Sequence, residues 1–384
     1  MTSTPDQVSP EHIHRLEGFL AQDPDNLELR KELAQRLLES GQVTRAQTLV
    51  QSMLAQHPSD AALVHLLASC LLATHRFTEA AQLFEGLITA GVDRPAVRFN
   101  LGYAWLRSGA VADAMRIFQA LLSDPLAPSK TLAYLLRSMH VMGQVEQALA
   151  TFSQAPEVQK TPEAIGLASV IALDASDVAT ARTLAEAALT QDPNQIEALS
   201  TRGALAAGDG DHAQALNLLE RAVTQRPGDG RIWTTLATAQ LSAQAIGSAQ
   251  TSFEQATRLM PNHIGTWHGL AWCQIFQGNL AGAKASLDRA MDLDHNFGET
   301  HGALAVVAAM QGREDEASTL IKISLRLDPK GLSAHYAQLL LKGGARDPAQ
   351  LRRLAARLLG GRVPFDVSSR LKQDGGDPNL GPYP

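Results

Sequence analysis

Aromatic residues and cysteines are scarce in this chain. Phe, Trp and Tyr make up 5% of the 384 residues, which argues against a sheet protein, because strands favour aromatic and β-branched side chains. The only two cysteines, Cys70 and Cys273, are far apart in the sequence, so neither a disulfide framework nor a cysteine-ligated metal site is predicted. The hydrophobic share of 45% instead suits a stack of helices rich in Ala and Leu.

Long apolar runs and an excess of positive charge are also missing. The sequence has no uninterrupted run of about 18 apolar residues, which is the length that a membrane-spanning helix requires. Residues 1–10 are polar and contain no apolar core of a secretory signal. We therefore expect a cytoplasmic protein without membrane insertion. The formal charge of −6 does not favour phosphate binding, so we expect no nucleic-acid partner.

Signatures of catalysis and of metal binding are absent from the sequence. We find no Gly-rich phosphate loop and no nucleophile elbow. His12 and His14 are two residues apart, and His263 and His268 are five apart, whereas a helical zinc site pairs histidines four residues apart. The sequence therefore predicts a protein that is not an enzyme and that holds neither a metal nor a cofactor.

Alanines recur at a constant interval through most of the chain. Eight successive steps between them measure 34 residues, apart from one step of 33 between Ala148 and Ala181. The series is Ala46, Ala80, Ala114, Ala148, Ala181, Ala215, Ala249, Ala283 and Ala317. A fixed period of this length predicts a solenoid of helical hairpins. A small side chain is needed wherever the two helices of a hairpin cross closely.

Two adjacent copies between Ile196 and Pro261 display the full repeat. The first copy carries Ile196, Leu199, Gly203, Gly210, Ala215, Leu219, Ala222 and Pro227, and the second carries Gly230, Trp233, Ala237, Ala249, Phe253, Ala256 and Pro261. This pattern resembles the tetratricopeptide repeat. The resemblance implies an all-α fold, a right-handed α-solenoid or superhelix of stacked hairpins, whose concave groove binds a protein or peptide partner.

The repeat phase divides the chain into five segments. Ser9 and Pro10 are typical of a helix start, and the pair Gly343-Gly344 is typical of a helix end. We expect a disordered lead (1–8), an N-terminal capping helix (9–26), nine repeats (27–331), C-terminal capping helices (332–359) and a flexible Gly/Pro-rich tail (360–384).

The charge changes sign near the end of the repeats. Residues 342–372 carry a local charge of +6, whereas residues 1–341 carry −10. The segment 348–359 has an apolar stripe at helical spacing, formed by Leu351, Leu354 and Leu358. We expect it to pack as a lid on the last repeats, because an apolar stripe is not left in water without cost.

Candidate groove residues follow from the resemblance. In that family, positions two, five, six, nine, twelve and thirteen of each repeat tend to line the groove. Repeats three and four place aromatic and polar residues there: Phe99, Asn100, Tyr103, Arg107, Tyr134, Arg137 and His140. Asn100 matches a position at which the family often binds a peptide backbone. The alternative is that Phe99 and Tyr103 pack between neighbouring first helices.

A secondary groove patch lies in repeat eight. It comprises His268, Trp272 and Phe276 at groove positions, and core packing is the alternative interpretation. Some relatives also use a clamp for carboxylates, built from Lys, Asn and Arg. Here Lys31 and Gln35 are followed by His65 and Leu66, without the expected Asn, so the pattern does not support that clamp.

The sequence thus predicts a non-catalytic scaffold, adaptor or chaperone that holds a peptide in its groove. Two alternatives remain open. One is a regulatory subunit that docks on a catalytic partner through its convex face or C-terminal helix. The other is an assembly factor for a larger complex. No particular partner and no oligomeric state are predicted.

Overall fold

Helices account for nearly all of the regular structure. The computed structural model describes residues 10–343, and these form twenty α-helices, one short 3-10 helix and no strand. The prediction of an all-α fold is confirmed. The helices are α1 (Pro10–Gln22), α2 (Leu27–Glu39), α3 (Val43–Leu54), α4 (Ala61–Ala73), α5 (Phe77–Thr89), α6 (Pro95–Ser108), α7 (Val111–Leu121), α8 (Thr131–Val141), α9 (Val145–Gln154), α10 (Pro162–Asp174), α11 (Val178–Gln191), α12 (Ile196–Gly208), α13 (His212–Gln225), α14 (Gly230–Ser242), α15 (Ile246–Leu259), α16 (Ile264–Phe276), α17 (Leu280–Leu293), α18 (Gly298–Met310), α19 (Glu314–Leu327) and α20 (Leu332–Leu341).

After α1, successive helices pair into hairpins. The described residues divide into two compact units, 10–164 and 165–343, which we call the first and the second unit. Within each unit, a helix packs on the next helix in sequence and on the next helix but one, as in α12 and α14 of the second unit. The predicted lead (1–8), the lid segment (348–359) and the tail (360–384) lie outside the described residues.

Turns within the hairpins share one backbone conformation. One residue between the two helices has a φ between +60° and +91°. These residues are Gly41, His75, Gly109, Gly143, Ser176, Gly210, Gln244, Gly278 and Gly312. They recur at the same interval as the alanines, including the one shorter step. Glycine takes this left-handed conformation without strain, whereas the other three residues take it at a cost.

The periodic alanines lie where the helices cross. All nine have an exposed fraction of 0%, as the repeat pattern predicts. Glycine serves the same purpose on the facing helix in places: a Cβ built on Gly203 of α12 would lie 2.5 Å from the Leu219 Cγ of α13. Such a distance is too short for two carbon atoms, so this crossing requires that position to lack a side chain.

Large apolar side chains fill the space between hairpins. Phe84 and Phe118 are fully buried in the first unit, and Phe253 is buried in the second. Phe84 and Phe253 each pack among Leu, Ile and Val from adjacent hairpins of their own unit. The stacking of hairpins therefore rests on burial of apolar surface between neighbours, as expected for a repeat array.

Candidate functional site

Three of the predicted groove residues form an aromatic group in the first unit. Phe99 and Tyr103 lie on α6, and Tyr134 lies on α8. The ring centroids of Phe99 and Tyr134 are 5.4 Å apart, those of Tyr103 and Tyr134 are 5.5 Å apart, and both pairs are edge-to-face. Aromatic rings prefer this arrangement, which holds each ring in a defined orientation.

Part of this group belongs to the packing between hairpins. Phe99 and Tyr134 contact the buried Phe118 of α7, with centroid distances of 5.5 and 5.7 Å. Burial raises the pKa of Tyr134 to about 12, so its phenol remains neutral at physiological pH. Phe99, Tyr103 and Tyr134 are each half-buried. Each of the three therefore packs between helices, as the alternative interpretation has it, and still exposes part of its ring.

Phe77 extends the group, and the sequence analysis missed it. It begins α5, at the turn of the preceding hairpin, and its ring meets Tyr103 at 6.3 Å. The Arg107 guanidinium lies 4.6 Å above the Phe77 ring, and its NH1 donates a hydrogen bond to the Tyr103 hydroxyl at 3.2 Å. We call these five residues, Phe77, Phe99, Tyr103, Arg107 and Tyr134, the aromatic cluster. The sequence does contain a signal for this cluster. Aromatic residues are scarce in the chain, yet four of its fourteen Phe and Tyr residues lie in the cluster.

The other three predicted residues differ in their surroundings. Arg137 of α8 is half-buried, and its positive charge favours ionisation of Tyr134, although burial outweighs this effect on the pKa. Asn100 of α6 is half-buried, and its side chain makes no hydrogen bond to residues 10–343. His140 is only 5% exposed. The prediction that His140 lines an open groove is therefore wrong, because its ring is buried among the helices.

A groove beside the cluster was not predicted as a site. Its volume is about 1110 Å³, and it lies along the first helices of the first three hairpins, α2, α4 and α6. We call it the N-terminal groove. Its walls are Asn26, Glu28, Leu29, Lys31, Glu32, Gln35, Asp60, Ala61, Ala62, His65, Leu66, Val92, Arg94, Ala96 and Val97. Most of these occupy groove positions of the repeat, and the groove is open because several of them are alanine.

Ion pairs neutralise much of the charge in the N-terminal groove. The Lys31 ammonium lies 3.0 Å from a Glu28 oxygen and 2.8 Å from an Asp60 oxygen. The hydrogen bond from Lys31 lowers the pKa of Asp60, and the one to Asp60 raises the pKa of Lys31. Burial, followed by the charge of Arg94, lowers the pKa of His65, so its imidazole is neutral at pH 7.

The N-terminal groove and the aromatic cluster share helix α6. Ala96 and Val97 line the groove, and Phe99, Asn100 and Tyr103 follow within two turns of the same helix. Residues four or seven apart lie on one face of a helix, so Ala96, Asn100 and Tyr103 present a continuous surface. The two features therefore form one extended site in the first unit.

The secondary patch predicted in repeat eight is wrong as a groove surface. His268 and Trp272 are each 2% exposed, and Phe276 is 9% exposed. His268 Nε2 is 2.8 Å from the Thr300 hydroxyl. The Trp272 ring packs on Phe276 and on Tyr336 of α20, with centroid distances of 5.5 and 5.9 Å. These residues are core, which was the alternative interpretation.

His268, Trp272 and Phe276 are buried because α20 packs closely on α18. A Cβ built on Gly302 of α18 would lie 2.7 Å from the backbone nitrogen of Ala334, so α18 and α20 approach closely. Tyr336 then reaches Trp272, and the two rings fill the space that a groove would occupy. The position of Trp272 in its repeat does not indicate this burial, because the burial depends on the small size of Gly302 in the next repeat.

The described residues contain neither a metal-binding cluster nor a membrane-spanning helix. Between residues 10 and 343, no group of three or more His, Cys, Asp or Glu side chains is placed to hold a metal ion. The helices of that range include none with the length and apolar character to cross a membrane. Burial raises the pKa of the Cys70 thiol to about 11 and that of Cys273 to about 12, so neither thiol ionises readily.

Comparison with known proteins agrees with the repeat pattern. The tetratricopeptide-repeat family model matches residues 13–70, 205–257 and 240–305. A search of curated proteins found no significant match.

Among solved structures, two of the human IFIT1 dimer, with m7Gppp-AAAA and with PPP-AAAA, are similar in fold. They have 15% and 16% identity, a TM-score of 0.54 each and coverage of 92% of both chains. The pilF protein of Pseudomonas aeruginosa is 19% identical, with a TM-score of 0.46 over 55% of this chain and 96% of its own. At such identities the likeness to IFIT1 is one of fold, and that fold is an all-α solenoid.

Proposed function

Since this chain is a tetratricopeptide-repeat protein, we propose that it is a non-catalytic scaffold, adaptor or chaperone that holds an extended peptide segment of a partner protein. The binding surface is the extended site of the first unit, from the N-terminal groove to the aromatic cluster. The observation that carries the proposal is the aromatic cluster itself: half-exposed rings, held edge-to-face, directly beside an open groove.

Fixed aromatic side chains support peptide binding on energetic grounds. A ring that is already held by its neighbours loses little conformational freedom when a ligand packs on it, so more of the contact energy appears as affinity. Tyr103 is held by Tyr134 and by the hydrogen bond from Arg107, and Arg107 is in turn held over Phe77. Tyr and Arg are also the residues that most often dominate binding energy at protein interfaces.

Asn100 supplies what an extended backbone requires. Its side-chain amide offers both a donor and an acceptor, and it makes no hydrogen bond to the described part of the chain. An extended peptide presents unpaired N–H and C=O groups along its length. One amide that pairs with a peptide unit in both directions would fix the position of the bound segment along α6.

Charge in the N-terminal groove favours a protein over a nucleic acid. Its walls carry three carboxylates, Glu28, Glu32 and Asp60, against two cations, Lys31 and Arg94. A phosphate backbone needs an excess of cations, so the charge of this groove does not favour ligands such as the m7Gppp-AAAA and PPP-AAAA of the IFIT1 structures. An uncharged or mixed-charge peptide meets no such obstacle.

Capture of partner proteins with matched variants tests the proposal. The double substitution Tyr103→Ala/Arg107→Ala removes one ring and the guanidinium of the cluster and leaves Phe99 and Tyr134 against the buried Phe118. The control, Phe19→Ala/Arg289→Ala, removes the same kinds of side chain at exposed positions elsewhere. We expect the control to retain the proteins that co-purify with the parent chain and the cluster variant to lose them. Full retention by the cluster variant would refute the proposed surface.

A further inference from the structure

Arg94 stands apart from the other basic side chains around the N-terminal groove. It is exposed on the groove wall immediately before α6. Lys31 is paired with two carboxylates, and Arg98 is paired with Asp93. Arg94, in contrast, forms no ion pair or hydrogen bond through its side chain with residues 10–343. It therefore leaves a guanidinium, with five donors in a planar fork, facing the groove.

His65 adds a second donor on the neighbouring helix. It lines the same groove from α4, and its ring packs edge-on against the buried Phe84 at 5.6 Å. Neither ring nitrogen hydrogen-bonds within the described part of the chain. Arg94 is close enough to act electrostatically on this imidazole. Both side chains thus line the same groove, where they offer the donors of the guanidinium and the single N–H of a neutral imidazole.

The carboxylates of the groove walls are occupied elsewhere. Glu28 and Asp60 are paired with Lys31, and Asp60 also accepts hydrogen bonds from the backbone of α4. The Glu32 carboxylate lies 3.5 Å from His12 of α1. No acid of the groove walls forms an ion pair with Arg94, so its guanidinium is available to a carboxylate of a ligand.

Helix geometry sets the distance from this place to the aromatic cluster. Ala96, two residues after Arg94, and Tyr103 are seven residues apart on α6, which is about 10 Å along a helix axis. An extended chain covers about 3.3 Å per residue, so about three peptide residues span that distance. A single segment is therefore long enough to contact both places at once.

We propose that the bound segment carries an acidic side chain that sits between Arg94 and His65, about three residues from a bulky apolar side chain held by the aromatic cluster. This rests on the proposed function and specifies the partner's chemistry. A carboxylate accepts two parallel hydrogen bonds from a guanidinium, and such charge-assisted pairs are stronger than neutral ones. The partner is thus defined by an acidic residue and an apolar residue at a fixed spacing.

A displayed library of random 12-residue peptides, selected on the full chain, tests this directly. We expect the selected peptides to share Asp or Glu three or four positions from Phe, Tyr, Trp or Leu. The substitution Arg94→Glu should replace the acidic preference with Lys or Arg and leave the apolar preference in place. Tyr103→Ala should weaken the apolar preference and leave the acidic one. Arg289→Ala, at an exposed arginine of the second unit, is the matched control and should change neither.

Affinity of one selected peptide gives the second readout. By fluorescence anisotropy, Arg94→Ala should weaken binding about tenfold, the usual effect of losing a charged hydrogen bond. His65→Phe should weaken it less, since it keeps the contact with Phe84. Arg94 has no partner to lose, so its variants should melt as the parent does.

The outcomes separate the two proposals. Peptides that depend on Tyr103 but show no acidic preference, or an acidic preference unchanged by Arg94→Glu, would overturn the present inference alone. If no peptide is selected, or if none depends on Tyr103, the proposed function fails and this inference fails with it.

Discussion

The buried histidine of the second unit should make stability depend on pH. His268 is 2% exposed, contacts Phe297 edge-on at 5.3 Å and has the Thr300 hydroxyl 2.8 Å from Nε2. Burial lowers its pKa to about 4, from the usual histidine value of about 6.5. The folded chain therefore holds this ring neutral, whereas the unfolded chain protonates it below about pH 6.5.

The direction and size of the effect follow from this difference. Between about pH 6.5 and 4 the unfolded chain binds the extra proton, so stability is complete above that window and is lost as the pH falls through it. At about 1.4 kcal/mol per pKa unit, the loss amounts to about 3 kcal/mol. For a unit of this size, each kcal/mol lowers the midpoint by about 2–4 °C.

Paired melting curves of the parent and of His268→Gln from pH 8 to pH 4 measure this loss. Gln keeps a hydrogen-bonding group beside Thr300 but does not titrate. We expect the parent to lose about 3 kcal/mol more than the variant over this range, and His14→Gln, at an exposed histidine, to follow the parent. If the parent and His268→Gln lose stability in parallel, the reasoning about this burial is refuted.

Two further predictions concern the repeats. Ala215→Leu should overpack a helix crossing and cost about 1–3 kcal/mol in denaturant unfolding, whereas Ala213→Leu, exposed on the same helix, should cost almost nothing; equal effects would mean that the repeat phase is misassigned. Gln244→Gly should stabilise the second unit by about 0.5–1 kcal/mol, because it relieves a left-handed residue, and a lower melting midpoint would contradict this.

Repetition made most of the fold predictable from the sequence. The position of Ala215 and its eight equivalents is set by a steric demand that every hairpin repeats, so the pattern identifies the crossing nine times over. The left-handed turn residue recurs at the same interval, and this is visible in the sequence wherever it is glycine, as at Gly210. At Gln244 the periodicity alone identifies it, since the residue type gives no indication.

Groove exposure was the part that sequence position could not determine. Tyr103 and Trp272 occupy the same place in their repeats, yet the first is half-exposed and the second is buried. The difference arises at Gly302, where the absence of a side chain lets α20 approach and Tyr336 cover Trp272. The exposure of a side chain at a groove position therefore depends on the size of residues that lie one or two repeats away in the sequence.

The N-terminal groove was missed for a related reason. The types of Lys31, Gln35, His65 and Leu66 do not match the carboxylate clamp of the family, because the expected Asn is missing. The opening itself comes from small residues such as Ala62 and Ala96, which carry no chemical signature. A search for runs of alanine at groove positions would have located it.

Site-specific photo-crosslinking tests the central claim most directly. A photoreactive amino acid is placed at Ala96, exposed in the N-terminal groove, and separately at Ala213, exposed on α13 of the second unit. In cells that express the full chain, we predict crosslinks from position 96 to one contiguous segment of a partner protein, identified by mass spectrometry, and none to that segment from position 213. If the partner co-purifies but crosslinks only through position 213, or equally through both positions, the first unit's groove is not where the partner binds.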